Sequence, residues 1–321
     1  MKQARIPGLA KDISRIVHGC TMLRDGAAQG WSDSLLDGVM EAGINAFDHA
    51  WEYGDGQCEC AFGNWLKRRQ VRDDIVIIGK GCHPMPGVSR VSPAFIESDL
   101  NDSLERLGVD CIDLWLFHRD DPGVPVGPLV DTLNRMVEMG KIRAFGGSNW
   151  TRTRIEEANA YAERSGLQGF AASSPHFSLA EQNESPWGDD CITISGPDNA
   201  APRAWYSQSG LGVYCWSSLA GGFRSGRYTR KHREALEAEL PEYTVRSYVS
   251  SMNWKRLERA RQLAVDKGLA VPQIALAYVL NQPMNAFAVV RSSNPGTIRD
   301  NCAADGVALS KVEMDWLDLR R

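Results

Sequence analysis

Three apolar runs, each ending on an ionisable side chain, constrain this chain more than any other feature. Ile44-Asn45-Ala46-Phe47 runs into Asp48, with Tyr53 five residues further on. Ile75-Val76-Ile77-Ile78-Gly79 runs into Lys80, and Ile112-Asp113-Leu114-Trp115-Leu116-Phe117 runs into His118. Short runs rich in Ile and Val, separated by helix-like segments, read as successive parallel strands. In a barrel of such strands the C-terminal ends converge on one mouth, where active sites sit. A carboxylate, a phenol, an ammonium and an imidazole then face one another, which makes a proton-transfer site.

The alternation extends over the chain. Strands are expected at 14–19, 44–48, 75–80, 112–117, 141–145, 168–173, 211–216 and 286–290, with helices over 32–41, 58–69, 93–107, up to 139, 151–165, 252–267, 271–281 and 295–304. Ser92-Pro93 gives a cap followed by proline, and Lys67-Arg68-Arg69 suits the negative end of a helix dipole. Eight βα units favour a closed (β/α)8 TIM barrel over an open doubly wound sheet. With no repeat and no Pro/Gly/Ser-rich linker, one domain over 1–321 is expected, with long loops at 175–210 and 217–251 of the kind that act as lids or binding loops.

Composition excludes several classes. A net charge of -4 over 321 residues argues against a nucleic-acid partner. The N-terminal stretch MKQARIPGLAKD has no apolar signal-peptide core, and no run reaches the length of a membrane span. Eight scattered cysteines fit reduced thiols in a cytoplasmic protein. His49, His83 and the pair Cys58 and Cys60 lack a second ligand pair, so no metal is expected. The run from Arg224 to Arg233 reads either as a solvated face or as a phosphate grip through Arg227, and Trp65, Trp187, Trp205, Trp254 and Trp316 as core or subunit contacts.

The four strand-end groups form a candidate catalytic set. A phenol titrates near 10, so Tyr53 needs help to exchange a proton at neutral pH. The Lys80 ammonium favours phenolate while burial opposes it, and Asp48 holds Lys80 in place. His118 either hydrogen-bonds a substrate carbonyl or relays a proton. None of these side chains donates a hydride, so a cofactor must supply it.

At these residues the chain resembles the aldo-keto reductases. The resemblance rests on Asp48…Tyr53-Gly54, Lys80, Leu116-Phe117-His118-Arg119-Asp120-Asp121-Pro122, Gly146-Gly147-Ser148-Asn149-Trp150, Trp216-Ser217-Ser218-Leu219-Ala220-Gly221-Gly222 and the segment from Ser292 to Asn301. It implies a (β/α)8 barrel, NADP(H), and reversible carbonyl reduction with Asp48, Tyr53, Lys80 and His118 as the catalytic set. It also implies cofactor contacts. Cys20, Thr21 and Asp48 stand near the cofactor, Ser148 and Asn149 hold the nicotinamide carboxamide, and Trp216 stacks on the nicotinamide ring. Ser217, Ser218, Leu219 and Gly221, with Arg227, fold over the pyrophosphate. Arg291, Ser292, Ser293 and Asn294 surround the 2′-phosphate, and Asp300 and Asn301 meet the adenine.

Two positions depart from the family pattern: Ser174 stands where Gln is usual, and Thr297 where a second Arg often reads the 2′-phosphate, with Arg299 two residues on. The stretch 177–220 departs most and is expected to shape the substrate pocket. Trp51, Tyr53, His118 and Trp150 are the expected substrate contacts, and with His176 they suggest a sugar or sugar-derived aldehyde. Two other readings remain open: a cofactor-binding regulatory subunit of the same fold, and a metal-dependent barrel hydrolase or isomerase.

Overall fold

The computed structural model describes residues 1–188, 190–230 and 233–320. After a short antiparallel pair, β1 (Gln3–Ala4) and β2 (Ile13–Ser14), the chain forms β3 (Ile16–Gly19), β4 (Ala46–Asp48), β5 (Val76–Gly81), β6 (Ile112–Phe117), β7 (Ile142–Ser148), β8 (Ala172–Ser174), β9 (Gly212–Cys215) and β10 (Ala286–Val290). Strands β3 to β10 close a parallel barrel in sequence order, β10 pairing with β3 through Val289 opposite Val17. Around it lie α1 (Gln29–Glu41), α2 (Gln57–Arg69), α3 (Pro93–Leu107), α4 (Val126–Glu138), α5 (Arg152–Ser165), α6 (Ala200–Ser209), α9 (Ser251–Lys267), α10 (Val271–Leu280) and α11 (Pro295–Cys302). Two short helices, α7 (Arg233–Glu239) and α8 (Glu242–Tyr248), lie between β9 and α9, and α12 (Lys311–Leu317) closes the chain.

Local chemistry explains the ends. Ser92 caps α3 by accepting the Phe95 N–H, with Pro93 in the first turn, and Thr151 caps α5 in the same way. Strand β7 runs on past Phe145 through two glycines because β8 comes close: a Cβ on Gly146 would stand 2.0 Å from the Ala172 carbonyl oxygen, and one on Gly147 would strike the Trp150 ring at 2.5 Å. Strand β8 starts later than the expected 168. The Gln168 and Phe170 N–H groups are taken by the side chains of Asn134 and Asn159, at 2.9 and 2.7 Å, and so do not join the ladder. The connections 175–210 and 217–251 are not bare loops. The first contains α6, whose short, Pro202-bearing sequence lacks a clear period, although proline is tolerated in a first turn.

Successive strand residues point to opposite faces. Ala46, Val76, Ile78, Leu114, Leu116, Ala144, Ala172, Tyr214 and Phe287 fill the barrel, while Phe47, Ile77, Trp115, Phe117, Phe145 and Val213 pack outward under the helices. The parity aims the chemistry. Asp48 is two residues past Ala46, Lys80 two past Ile78 and His118 two past Leu116, so all three continue inward-facing rows at the barrel's C-terminal mouth. At the other end Ile6, Leu9 and Ile13 plug the barrel from the N-terminal hairpin.

Candidate active site

The mouth brings Asp48, Tyr53, Lys80 and His118 together. Lys80 Nζ donates to Asp48 Oδ1 at 2.5 Å and to the His49 carbonyl at 2.9 Å, all of it buried. The same ammonium lies over the Tyr53 ring, 5.1 Å from its centroid, and the His118 ring meets that of Tyr53 edge-on at 5.8 Å. Tyr53 reaches the mouth because β4 ends at Asp48 and the chain turns back through Gly54 and Asp55, both with positive φ.

The electrostatics correct one expectation. The Tyr53 hydroxyl is not tuned toward phenolate: burial, then the Asp48 and Glu52 charges, raise it well above its ordinary value, and Arg119 opposes them. Lys80 does not reverse this because Asp48 neutralises it at hydrogen-bond distance. These surroundings favour the protonated phenol.

His118 has a partner that the sequence reading missed. Its Nδ1 lies 2.7 Å from Oε1 of Glu52. Burial lowers the His118 pKa, against the carboxylate, which raises it. Burial would raise Glu52, but the imidazole charge and hydrogen bond bring it down to about 2. Arg119 also belongs here: its guanidinium is buried, donates to the His118 carbonyl at 3.0 Å and pairs with Asp190 at 2.9 Å. Glu52 is adjacent to Tyr53 and Arg119 to His118, so adjacency to a site residue was the available signal. Asp190 had none.

Three expected substrate surfaces are spent on the protein itself. The Trp51 indole N–H donates to Asp102 on α3 at 2.9 Å, and its ring lies under Arg90 and Arg106. Trp150 is buried between Phe117 and Phe170, its ring centroid 5.0 Å from each, because Asn149 at φ 59 swings the chain out of the inward row. His176 is buried against Trp216 and Tyr248, its Nδ1 2.8 Å from the Thr193 hydroxyl. Trp150 and His176 are thus buried and Trp51 is half-buried, whereas Tyr53 and His118 stay in the mouth.

The candidate cofactor residues line the rim from β7 round to β10. Ser148 donates to the Ser174 carbonyl at 3.0 Å, and Ser174 donates in turn to the Tyr214 carbonyl at 2.8 Å. Asn149 donates to the His118 carbonyl and accepts the Ile192 N–H at 3.1 Å. A carboxamide would have to compete for these groups. Trp216 packs against His176 and against Trp187, the latter half exposed and lying on the mouth rather than in the core. Trp187, Asp190 and Ile192 thereby touch Trp216, Arg119 and Asn149 in turn.

Between Ser217 and Gly222 the chain makes a tight turn. The Ala220, Gly222 and Phe223 N–H groups bond Ser217, Leu219 and Ala220 carbonyls, and the Ser218 hydroxyl donates to the Cys215 carbonyl. Gly221 has φ +61, and a Cβ there would meet Thr244 at 2.5 Å. Arg224 is fully buried, whereas Arg227 and Arg230 are exposed; Lys231 and His232 lie outside the described residues.

At the end of β10, exposed Arg291 donates to the Thr21 hydroxyl at 3.0 Å. Ser292 turns onto Asn294, which caps α11 through the Gly296 N–H, and Ser293 and Thr297 are exposed beside them. Arg299 points to Glu41 on α1, 3.8 Å away, so it does not join Arg291. Asp300 is exposed and Asn301 buried, while Cys20 is buried with its N–H on the Asp48 carbonyl. Among the described residues no group of three or more His, Cys, Asp or Glu is placed to hold a metal ion. No single described helix is long and apolar enough to cross a membrane.

A closed parallel barrel with a buried Asp–Lys pair, a phenol and an imidazole at its mouth defines a (β/α)8 protein with titratable groups gathered where the strands end. The Aldo/keto reductase family model matches residues 31–319, and the chain belongs to that family of oxidoreductases. It is 29% identical over 283 residues to an aldo-keto reductase of Strobilurus tenacellus (87% of this chain, 78% of that protein). It is 26% identical over 301 residues to norsolorinic acid reductase A of Aspergillus parasiticus (90% and 71%). It is also 26% identical over 281 residues to a putative voltage-gated potassium channel subunit beta of Schizosaccharomyces pombe (84% and 78%). The structure of a thermostable aldo-keto reductase in complex with the inhibitor epalrestat shares the fold, with a TM-score of 0.75 at 21% identity over 99% of both chains.

Proposed function

We propose that this protein is an NADPH-dependent reductase of aldehydes or ketones in which Tyr53 donates the proton. The observation that carries the reading is the convergence, in one buried mouth, of the Asp48–Lys80 pair with Tyr53 and His118. Reduction of a carbonyl needs a proton donor that is still protonated at working pH, and burial among carboxylates keeps Tyr53 so. Lys80, fixed by Asp48 and the His49 carbonyl, places a positive charge where the phenol acquires negative charge on giving up its proton. When bound, the nicotinamide supplies the hydride.

The residues present fit that cofactor at its phosphate end. Exposed Arg291, steadied by Thr21, stands beside Ser292 and Ser293 at the N-terminal end of α11, a set of donors suited to a 2′-phosphate. Trp216, Ser148, Asn149 and the 217–222 turn would hold the nicotinamide and pyrophosphate end. The substrate is left at the level of a carbonyl compound, since Trp150 is buried in an aromatic stack and the Trp51 indole N–H is taken by Asp102.

The test is Tyr53→Phe, assayed with an aromatic aldehyde and NADPH. Losing the general acid lowers kcat about 10²–10⁴-fold while cofactor affinity stays within a few-fold. A variant that keeps most of its kcat removes Tyr53 from the chemistry. The second reading, a cofactor-binding regulatory subunit, is favoured by relatives named as channel beta subunits. Tight NADPH binding with no turnover of any aldehyde by the wild type would support that reading instead.

A further inference from the structure

The turn that carries Tyr53 is conformationally unfavourable and is held from outside. Gly54, Asp55 and Gly56 follow Tyr53 with φ of 59, 52 and 86°, three left-handed residues in succession, and Asp55 has a side chain that this region disfavours. Arg106, from the last turn of α3, reaches both sides of the turn. Its Nη1 donates to the Trp51 carbonyl at 2.8 Å, two residues before Tyr53, and to Oε2 of Glu59 at 3.2 Å, in the first turn of α2. Gly56 lies against the same group: a Cβ there would stand 2.6 Å from the guanidinium carbon. The Trp51 peptide also links this anchor to the other half of the site, since its N–H donates to the Lys80 carbonyl at 2.8 Å. We propose that Arg106 is a positioning residue that clamps the 51–56 turn and so sets where the Tyr53 hydroxyl stands relative to the Lys80 ammonium.

The catalytic half of this inference rests on the reading of Tyr53 as the proton donor. Stability alone explains the clamp poorly. Glu59 is fully buried, and burial raises its pKa, against Ser103 and Arg106, which lower it. A buried ion pair is often no more stabilising than apolar side chains of the same volume, so the geometry it enforces is the better reason for one here. That geometry is exacting. A planar guanidinium offers its donors in fixed directions, and one nitrogen serves both the carbonyl before the turn and the carboxylate after it. The guanidinium carbon also lies 5.4 Å from the centroid of the Trp51 ring, so it grips that residue by side chain as well as backbone. A catalytic group misplaced by about 1 Å can lose roughly 100-fold in rate, which is the scale on which such a clamp acts.

The test is Arg106→Ala. With an aromatic aldehyde and NADPH, kcat is expected to fall about 10–100-fold while the NADPH Kd stays within a few-fold of wild type. The Arg106 side chain is a quarter exposed, so guanidinium ion, far below denaturing concentration, can enter the space left by the truncation. It should restore most of the lost kcat, and ammonium at the same concentration should not. In a Tyr53→Phe background Arg106→Ala lowers kcat no further, because a residue that acts through Tyr53 then has nothing to position. A merely structural Arg106 lowers the unfolding midpoint, leaves kcat of the folded protein unchanged and gives no response to guanidinium, and that result overturns the proposal.

A second readout needs no turnover. In ¹⁹F NMR of protein labelled with 3-fluorotyrosine, the Tyr53 signal is assigned from its absence in Tyr53→Phe. Arg106→Ala is expected to shift or broaden that signal, with the other tyrosine signals unchanged, and guanidinium to return it. Arg106→Ala strands the Glu59 carboxylate; if it does not fold, Arg106→Ala with Glu59→Gln, which keeps neither charge of the pair, replaces it with the same expected effects. A moved signal together with a fully active Tyr53→Phe keeps the clamp and removes Tyr53 as the donor. A Tyr53 signal that stays in place overturns the proposal, whatever becomes of the reductase reading.

Discussion

The two ends of this barrel hold buried carboxylates in opposite ways. At the floor, Asp113 on β6 is surrounded: Arg72, Arg143 and Lys11 stand 2.9, 3.5 and 3.9 Å away, and the Ile77 N–H donates to it at 2.9 Å. At the mouth, Asp48 on β4 has, among the described residues, Lys80 alone at ion-pair distance. Three cations surround the floor carboxylate, whereas one cation is shared at the mouth among a carboxylate, a carbonyl and a phenol ring, beside the group proposed to give up its proton. The floor is also plugged by apolar residues, Ile6, Leu9 and Ile13, and the mouth is not. Stability is thus concentrated at the end where the chain closes on itself and chemistry at the end where the strands stop, as expected for this architecture.

The sharpest way to break that contrast is to remove the cation at the mouth. Lys80→Met takes away the charge that compensates a departing phenolic proton, and kcat falls about 10²–10⁴-fold, roughly 3–5 kcal/mol. Tritration of NADPH into the variant should show binding within a few-fold of wild type. A pH–rate profile that overlays the wild type would show that the ammonium plays no part in proton transfer.

The converse substitution at the floor is Asp113→Ala. Arg143, Arg72 and Lys11 are each at least a quarter exposed and can turn to water, so little of the ion-pair energy is at stake. What remains is the Ile77 N–H, left buried without an acceptor, at about 1–3 kcal/mol. The midpoint of denaturant unfolding should fall accordingly while kcat of the folded protein stays at the wild-type value. A tenfold drop in kcat with unchanged stability would erase the distinction between floor and mouth.

Much of this architecture is legible from strand parity alone. Asp48, Lys80 and His118 end runs whose inward rows are Ala46, Ile78 and Leu116, so period two both finds the strands and aims their last residues. Parity fails where the backbone leaves the strand. Trp150 belongs to the same row as Ser148, yet Asn149 at positive φ turns it into the Phe117–Phe170 stack, and only the backbone angle announces that. Trp51 was hidden for another reason: its partner Asp102 lies on α3, beyond α2 and β5, a contact of 51 residues' separation that no local pattern encodes. Trp187, Asp190 and Ile192 reach Trp216, Arg119 and Asn149 from a stretch with no periodicity at all. Glu52 was in plain view, adjacent to Tyr53, but a carboxylate in a turn has a solvated reading until its imidazole partner is located.

The smallest effect lies at the exposed rim, where the contrast between the two ends becomes one of depth. Arg291 is exposed and held only by the Thr21 hydroxyl, so removing it uncovers no buried group and costs the fold little. In the proposed reading its contribution is to a ligand. A 2′-phosphate brings nearly two negative charges, and an Arg fork matches phosphate oxygens in a way that hydroxyls do not. With Thr297 in the neighbouring position and Arg299 turned to Glu41, no second cation shares the load. A hydrogen bond to a charged group contributes about 1.5–3 kcal/mol, so Arg291→Ala should weaken NADPH binding roughly 10–100-fold. NADH, which lacks the phosphate, should bind the variant and the wild type alike. The two titrations are followed by protein fluorescence, and because the cation is exposed, the NADPH effect should shrink as salt is raised. Equal losses for both cofactors would move Arg291 from reading the phosphate to holding the rim.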